Sequence, residues 1–236
     1  MNTKIILFDM DGTLLPMDTG TFARAYFKVL TKKMLPHGYE PEALINGINA
    51  GITAMQGNDG TRPNSDLFWN RFAEVTGDRV LSDRELFEEF YRVDFQRISS
   101  SCGYDPQAEK TLALCRELGF RIVIATEPIF PLSAMKSRLR WAGIDPESVD
   151  HITSYETCTY CKPSLGFFRE LIDRLGVTPE ECVMVGNDVN EDMPAEELGV
   201  KVFLLTDCLI NKKNVDISRW EHGGYAVLQN FLRSLD

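Results

Sequence analysis

The chain has 236 residues, a formal net charge of −10 and an apolar fraction of 44%. That length suits one large domain, or a core domain with a smaller insertion, and the composition allows a sizeable core. The acidic balance argues against general binding to nucleic acid or to an anionic membrane.

No basic-then-apolar leader and no membrane-length apolar run is present, so the expectation is a soluble, cytoplasmic chain with no membrane partner. The six cysteines lie between Cys102 and Cys208, and two of them form the C-x-x-C of Cys158 and Cys161. No second pair of Cys or His at similar spacing accompanies them, so packed, reduced thiols are expected rather than a zinc site.

In chain order, the first element is a short apolar run over residues 4–8, read as a strand. It runs directly into Asp9, Met10, Asp11 and Gly12, which places two carboxylates one residue apart at a strand end. The block from 16 to 100 has helical periodicity and almost no strand signal. One stretch puts Phe22, Tyr26, Val29 and Leu30 on a face. A second does so with Leu67, Phe68, Phe72 and Val75. A third opens with Ser82 and Glu85 in capping-box spacing. A turn-rich break covers 57–64. The aromatics here are read as the block's own core rather than a substrate platform.

From about residue 105, apolar runs at 120–126, 182–188 and 201–205 alternate with helical patterns. Such alternation means parallel strands joined by right-handed crossovers. Gly119, Gly176 and Gly199 fall where helices should end. The expected fold is α/β: a Rossmann-like, three-layer core of 1–15 and 101–236 with a parallel sheet, interrupted after its first strand by a helical cap of 16–100.

Ligands of open parallel sheets bind at the carboxyl ends of the strands. Those ends carry Asp9 and Asp11, then Thr126 and Glu127, then Asn187 and Asp188, with Asp192 four residues further on. Lys162 lies between the last two groups, and Pro163 after it suggests a helix start with Lys162 at its N-terminus. Taken singly, each has a plain reading: a turn acid, a structural threonine, a solvated lysine. Together they make a cluster of carboxylates that a hard cation such as Mg²⁺ would neutralise, with one Asp free to attack phosphorus. Motifs for a phosphate-binding P-loop, a dinucleotide fingerprint or a serine-hydrolase elbow are missing.

The segments "DMDGTLL", "IAT", Lys162 and "VGNDVNED" resemble, in order, the four motifs of the haloacid dehalogenase-like hydrolase superfamily. The resemblance implies a Rossmann-like core, a C1-type cap and a Mg²⁺-dependent phosphatase acting on a small phosphorylated metabolite. It implies Asp9 as nucleophile and metal ligand, and Asp11 as general acid/base lending its carbonyl to the metal. Thr126 and Lys162 would bind the phosphoryl group. Many relatives carry Asp where this chain has Asn187, so Asn187 and Asp188 both stand as metal ligands. Asp192 would hold Lys162 or a metal-bound water, and Glu127 is a further substrate-binding candidate. A phosphomutase on the same intermediate, or a module that binds a phosphorylated ligand without turnover, are the alternatives.

Overall fold

A computed structural model describes residues 3–235. The first strand, β1 (Ile5–Phe8), is followed by helices α1 (Thr19–Met34), α2 (Pro41–Gln56), α3 (Asn64–Thr76), α4 (Arg79–Ser82) and α5 (Arg84–Arg92). A 3-10 segment, Asp94–Ser101, leads out of this helical block. The remainder alternates: α6 (Pro106–Glu117), β2 (Arg121–Ile124), α7 (Leu132–Trp141), β3 (His151–Ile152), α8 (Leu165–Leu175), β4 (Cys182–Gly186), β5 (Lys201–Leu205), β6 (Glu221–Gly223) and α9 (Tyr225–Arg233).

The sheet has the order β3-β2-β1-β4-β5-β6, and every pairing is parallel. β1 is therefore central, with β2 on one side and β4 on the other. Its successive side chains alternate between two cores. Ile6 and Phe8 join α6, α7 and α9, while Ile5 and Leu7 join α8 and the segment around Met193. Burial on both faces explains why the strands read as unbroken apolar runs. The C-terminal ends of β1, β2 and β4 lie at the point where the connections change direction, the expected location for a ligand.

Side-chain caps fix the starts of α1, α6 and α8. The Asp18 carboxylate accepts the Thr21 N–H at 2.7 Å, and Asp105 accepts that of Gln107 at 2.8 Å. Both supply partners for otherwise unpaired N–H groups. Gly176 closes α8 in the left-handed conformation.

Several sequence expectations need correction. Pro163 does not open α8. Ser164 caps that helix by accepting from Gly166 N–H at 3.1 Å, so the helix begins at Leu165 and Lys162 lies before it in a loop. Ser82 does not cap α5. It ends α4, and Asp83 precedes α5 with its carboxylate taken by Tyr39 and Arg79. α3 buries Phe68, Trp69, Phe72 and Ala73, while Val75 is exposed. The pattern over Met193–Leu198 forms a 3-10 segment rather than an α-helix.

The helical block packs its aromatics into one cluster, which also takes in Ala134, Tyr155 and Cys161 from beyond the block. No described helix is long and apolar enough to cross a membrane.

Candidate active site

The backbone after β1 turns sharply. Thr13, Leu14 and Leu15 each direct an N–H to the Met10 carbonyl, and Gly12 has φ +80°. A Cβ on Gly12 would sit 2.3 Å from Asn187 Nδ2, so the turn needs glycine for both its dihedral and its contact with the β4 loop. This turn presents Asp9, which is 7% exposed, at the end of the central strand.

Asp9 is held from two sides. Lys162 Nζ donates to its Oδ1 at 3.0 Å, and Thr13 Oγ1 donates to its Oδ2 at 3.2 Å. The same ammonium donates to Asp192 Oδ1 at 2.6 Å. Asp192 Oδ2 in turn accepts the Asp188 N–H at 2.9 Å. Burial works against the charge on Lys162, but Asp192 and Asp9 outweigh it and raise its pKa, so Lys162 is an ammonium at neutral pH. Burial pushes the Asp192 carboxyl up while Lys162 pulls in the opposite direction.

Asn187 is also engaged at both ends of its amide. Its Oδ1, at 3.0 Å, shares the one Thr13 Oγ1 proton with Asp9, and its Nδ2 donates to the Cys208 carbonyl at 2.7 Å. A carboxylate in this position could not make the second bond, which is a physical reason for an amide here. Asp188 turns its Oδ1 to the N–H groups of Asn190 and Glu191, at 2.7 and 3.2 Å.

Thr126 is 1% exposed, two residues past β2. Its backbone is pinned by Thr153, whose hydroxyl accepts from Thr126 N–H at 3.0 Å and donates to Thr126 O at 2.8 Å. Glu127 accepts the Lys162 backbone N–H at 2.8 Å, so it steadies the loop that carries Lys162. Burial, then the nearby Glu191, pushes its carboxyl up to about 7.

Asp11 turns away from this group. It forms an ion pair with Arg138 of α7, a residue with 1% exposure that sequence reasoning missed. The guanidinium lies 5.2 Å from the Phe22 ring centre and 5.1 Å from that of Phe130. Its Nε has no hydrogen-bond partner among the described residues. The two aromatic faces offset part of that loss. Burial pulls the Arg138 pKa down to about 10, which still leaves it charged. A signal was available. Ala134, Met135, Arg138, Leu139 and Ala142 follow helical spacing, so Arg138 occupies an apolar stripe.

Next to Asp11, between the helical block and the sheet, lies a cavity of about 260 Å³. It is lined mainly by aromatic and aliphatic side chains of α1, α2 and α3, with Ile129 and Phe130 from the loop after β2. Cys158 and Cys161 are buried free thiols, and burial raises both. His37 and His222 are exposed on the surface.

The family model for haloacid dehalogenase-like hydrolases covers residues 3–197. The chain belongs to that family.

Among curated relatives of this hydrolase, the glyceraldehyde 3-phosphate phosphatase of Methanocaldococcus jannaschii is 32% identical over 123 residues, 52% of this chain and 51% of that one. That match thus spans about half the relative's length. The phosphoglycolate phosphatase of Vibrio vulnificus is 26% identical over 86% of this chain and 83% of its own. A HAD phosphatase from Thermococcus onnurineus shares the fold, with a TM-score of 0.59 at 20% identity over 98% of each chain.

Proposed function

We propose that this hydrolase is a phosphatase that cleaves a small phosphorylated metabolite through an aspartyl-phosphate on Asp9. The observation that carries the reading is the buried Asp9 carboxylate at the end of the central strand, with Lys162 at 3.0 Å. The phosphatase names of two relatives that match at 32% and 26% identity support the same class.

In the first half of the reaction, an Asp9 oxygen attacks phosphorus and the ester bond to the leaving oxygen breaks. Lys162 and the Thr126 hydroxyl bind the transferring oxygens and offset the charge that develops on them. Asp11, in its protonated form, gives its proton to the leaving oxygen. In the second half, Asp11 as carboxylate takes a proton from water, and that water displaces Asp9 from phosphorus to release phosphate. Arg138 stabilises the carboxylate form of Asp11, the form needed for the second half. Donating a proton in the first half requires Asp11 to leave that contact.

The reading includes Mg²⁺. Among the described residues, no three His, Cys, Asp or Glu side chains are grouped as a complete cage. Mg²⁺ does not need one, because it keeps several waters and takes only one or two carboxylates. The donors here are all oxygens. Asp9, Asp11, Asp188 and Asp192, with Glu191 beside them, outnumber the two cations Lys162 and Arg138, so carboxylates are in excess. A dication would offset that excess. Asp9, Asp188 and the Asp11 carbonyl would hold it, with the Asn187 oxygen alongside. It would neutralise charge on the phosphoryl oxygens. Residues 16–100 then act as a cap over the core of 1–15 and 101–236, closing to exclude water and opening for release.

The test is phosphate release from a generic aryl phosphate with Mg²⁺. The wild type should release phosphate, and Asp9→Asn should lose at least about a thousandfold in rate, as expected for loss of a nucleophile. Full activity in Asp9→Asn would refute the mechanism.

A further inference from the structure

The geometry points to a substrate whose leaving group is uncharged and apolar, an aromatic or compact hydrocarbon alcohol, seated in the cavity beside Asp11. The inference rests on the phosphatase reading for what happens at Asp9, and adds the chemistry of the other end of the substrate. Asp11, the group assigned to protonate the leaving oxygen, is part of the cavity wall two residues from Asp9, so the cavity adjoins the side of the site from which the leaving group departs once Asp11 swings from Arg138.

The wall sets the chemistry. Phe22, Phe27, Ile52, Trp69 and Phe130 supply rings and branched carbons. Among the described residues that line the cavity, Asp11 is the one charged side chain. Tyr26 and Tyr91 also line it, but their hydroxyls hydrogen-bond each other at 2.9 Å, and burial raises both phenols, so they add no anion. An unpaired carboxylate or second phosphate would lose its hydration here with no cation to receive it. Arg138 cannot serve. It is 1% exposed, paired with Asp11, flanked by the Phe22 and Phe130 rings and absent from the lining.

The size agrees. A cavity of roughly 150 Å³ suffices for a benzene ring, so about 260 Å³ takes a ring with a few further carbons. Phosphoglycolate, the substrate in the name of one relative, carries a carboxylate and fits this wall poorly.

The experiment compares benzyl phosphate with phosphoglycolate on the full chain with Mg²⁺, since both are esters of primary alcohols. Phosphate release gives kcat/KM, and calorimetry with benzylphosphonate and phosphonoacetate gives affinity without turnover. The expected result is a kcat/KM at least tenfold higher for benzyl phosphate and tighter binding of benzylphosphonate. Ile52→Arg, which puts a cation at the wall, should shift the kcat/KM ratio at least tenfold towards phosphoglycolate. Phosphoglycolate hydrolysed as well as or better than benzyl phosphate would overturn the inference, as would phosphonoacetate binding as tightly as benzylphosphonate. If benzylphosphonate binds preferentially but no ester is hydrolysed, the pocket chemistry stands and the phosphatase reading falls.

Discussion

At the scale of single residues, Lys162 is the hinge of the electrostatics, because one ammonium serves Asp9 and Asp192 at 3.0 and 2.6 Å. Removing one partner from a buried ion pair costs about 3–5 kcal/mol because the other charge is left uncompensated. Lys162→Met should therefore lower unfolding stability by about 3 kcal/mol, measured by urea denaturation, besides abolishing phosphate release. A stability equal to wild type would mean that solvent or another cation reaches Asp192.

Glu127 gives a pH prediction. Its carboxyl is raised from 4.5 to about 7 in the fold, so the folded state holds a proton that the unfolded state gives up first. Its contribution to stability is complete below about pH 4.5 and is lost as pH rises through about 7. Glu127→Gln should flatten that part of the stability profile by about 2 kcal/mol, seen as a smaller fall in Tm between acid and neutral pH. An unchanged slope would assign the fall to other groups.

Arg138 belongs to the same scale. Arg138→Lys should not rescue Arg138→Met. A lysine ammonium lacks the flat guanidinium that lies between Phe22 and Phe130 while reaching Asp11. Both variants should lose about 2 kcal/mol, a discounted value because Asp11 is partly exposed. The meeting of Asp9 and Lys162 was legible in the sequence, because acids after an apolar run with an ordered set of later motifs form an uncommon pattern, but the turn of Asp11 towards α7 was not. Arg138 was passed over because an arginine in a helix is ordinarily solvated, although its spacing from Ala134, Met135 and Leu139 puts it on the apolar stripe.

At the scale of elements, the parallel strands were legible from their apolar runs, and their ends located the site. β3 and β6 were not, having only 2 and 3 residues, too few to show a pattern. α2 was also missed. Its sequence contains Gly47 and Gly51, which weaken any helical reading. Packing explains them: a Cβ on Gly51 would stand 2.5 Å from the Phe68 ring of α3. Gly51→Ala should therefore push α2 away from α3 and cost about 1–3 kcal/mol, measured by denaturant midpoint, although alanine is the better helix former. A more stable variant would show that Phe68 turns aside freely. Since Phe68 also lines the cavity, the same shift would alter ester selectivity. The placement of Lys162 at a helix start was misread for a local reason. Ser164 caps more effectively than Pro163 opens, so the helix begins later.

For the whole molecule, the α/β architecture followed from alternation of apolar runs with helical patterns, and membership of the hydrolase family agrees with it. The joining of the helical block to the sheet was not legible. The cavity arises only when α1, α2 and α3 meet the loop after β2, and aromatics that read as core on each helix then form a wall. The central claim is that Asp9 carries the phosphoryl group between substrate and water. It is tested most directly by mixing the enzyme and Mg²⁺ with a radiolabelled phosphate monoester, quenching in acid at short times and mapping the label. The expected result is label on the peptide containing Asp9, appearing before free phosphate and lost in Asp9→Asn. Phosphate release at the wild-type rate by Asp9→Asn, or label carried by another residue, would contradict it.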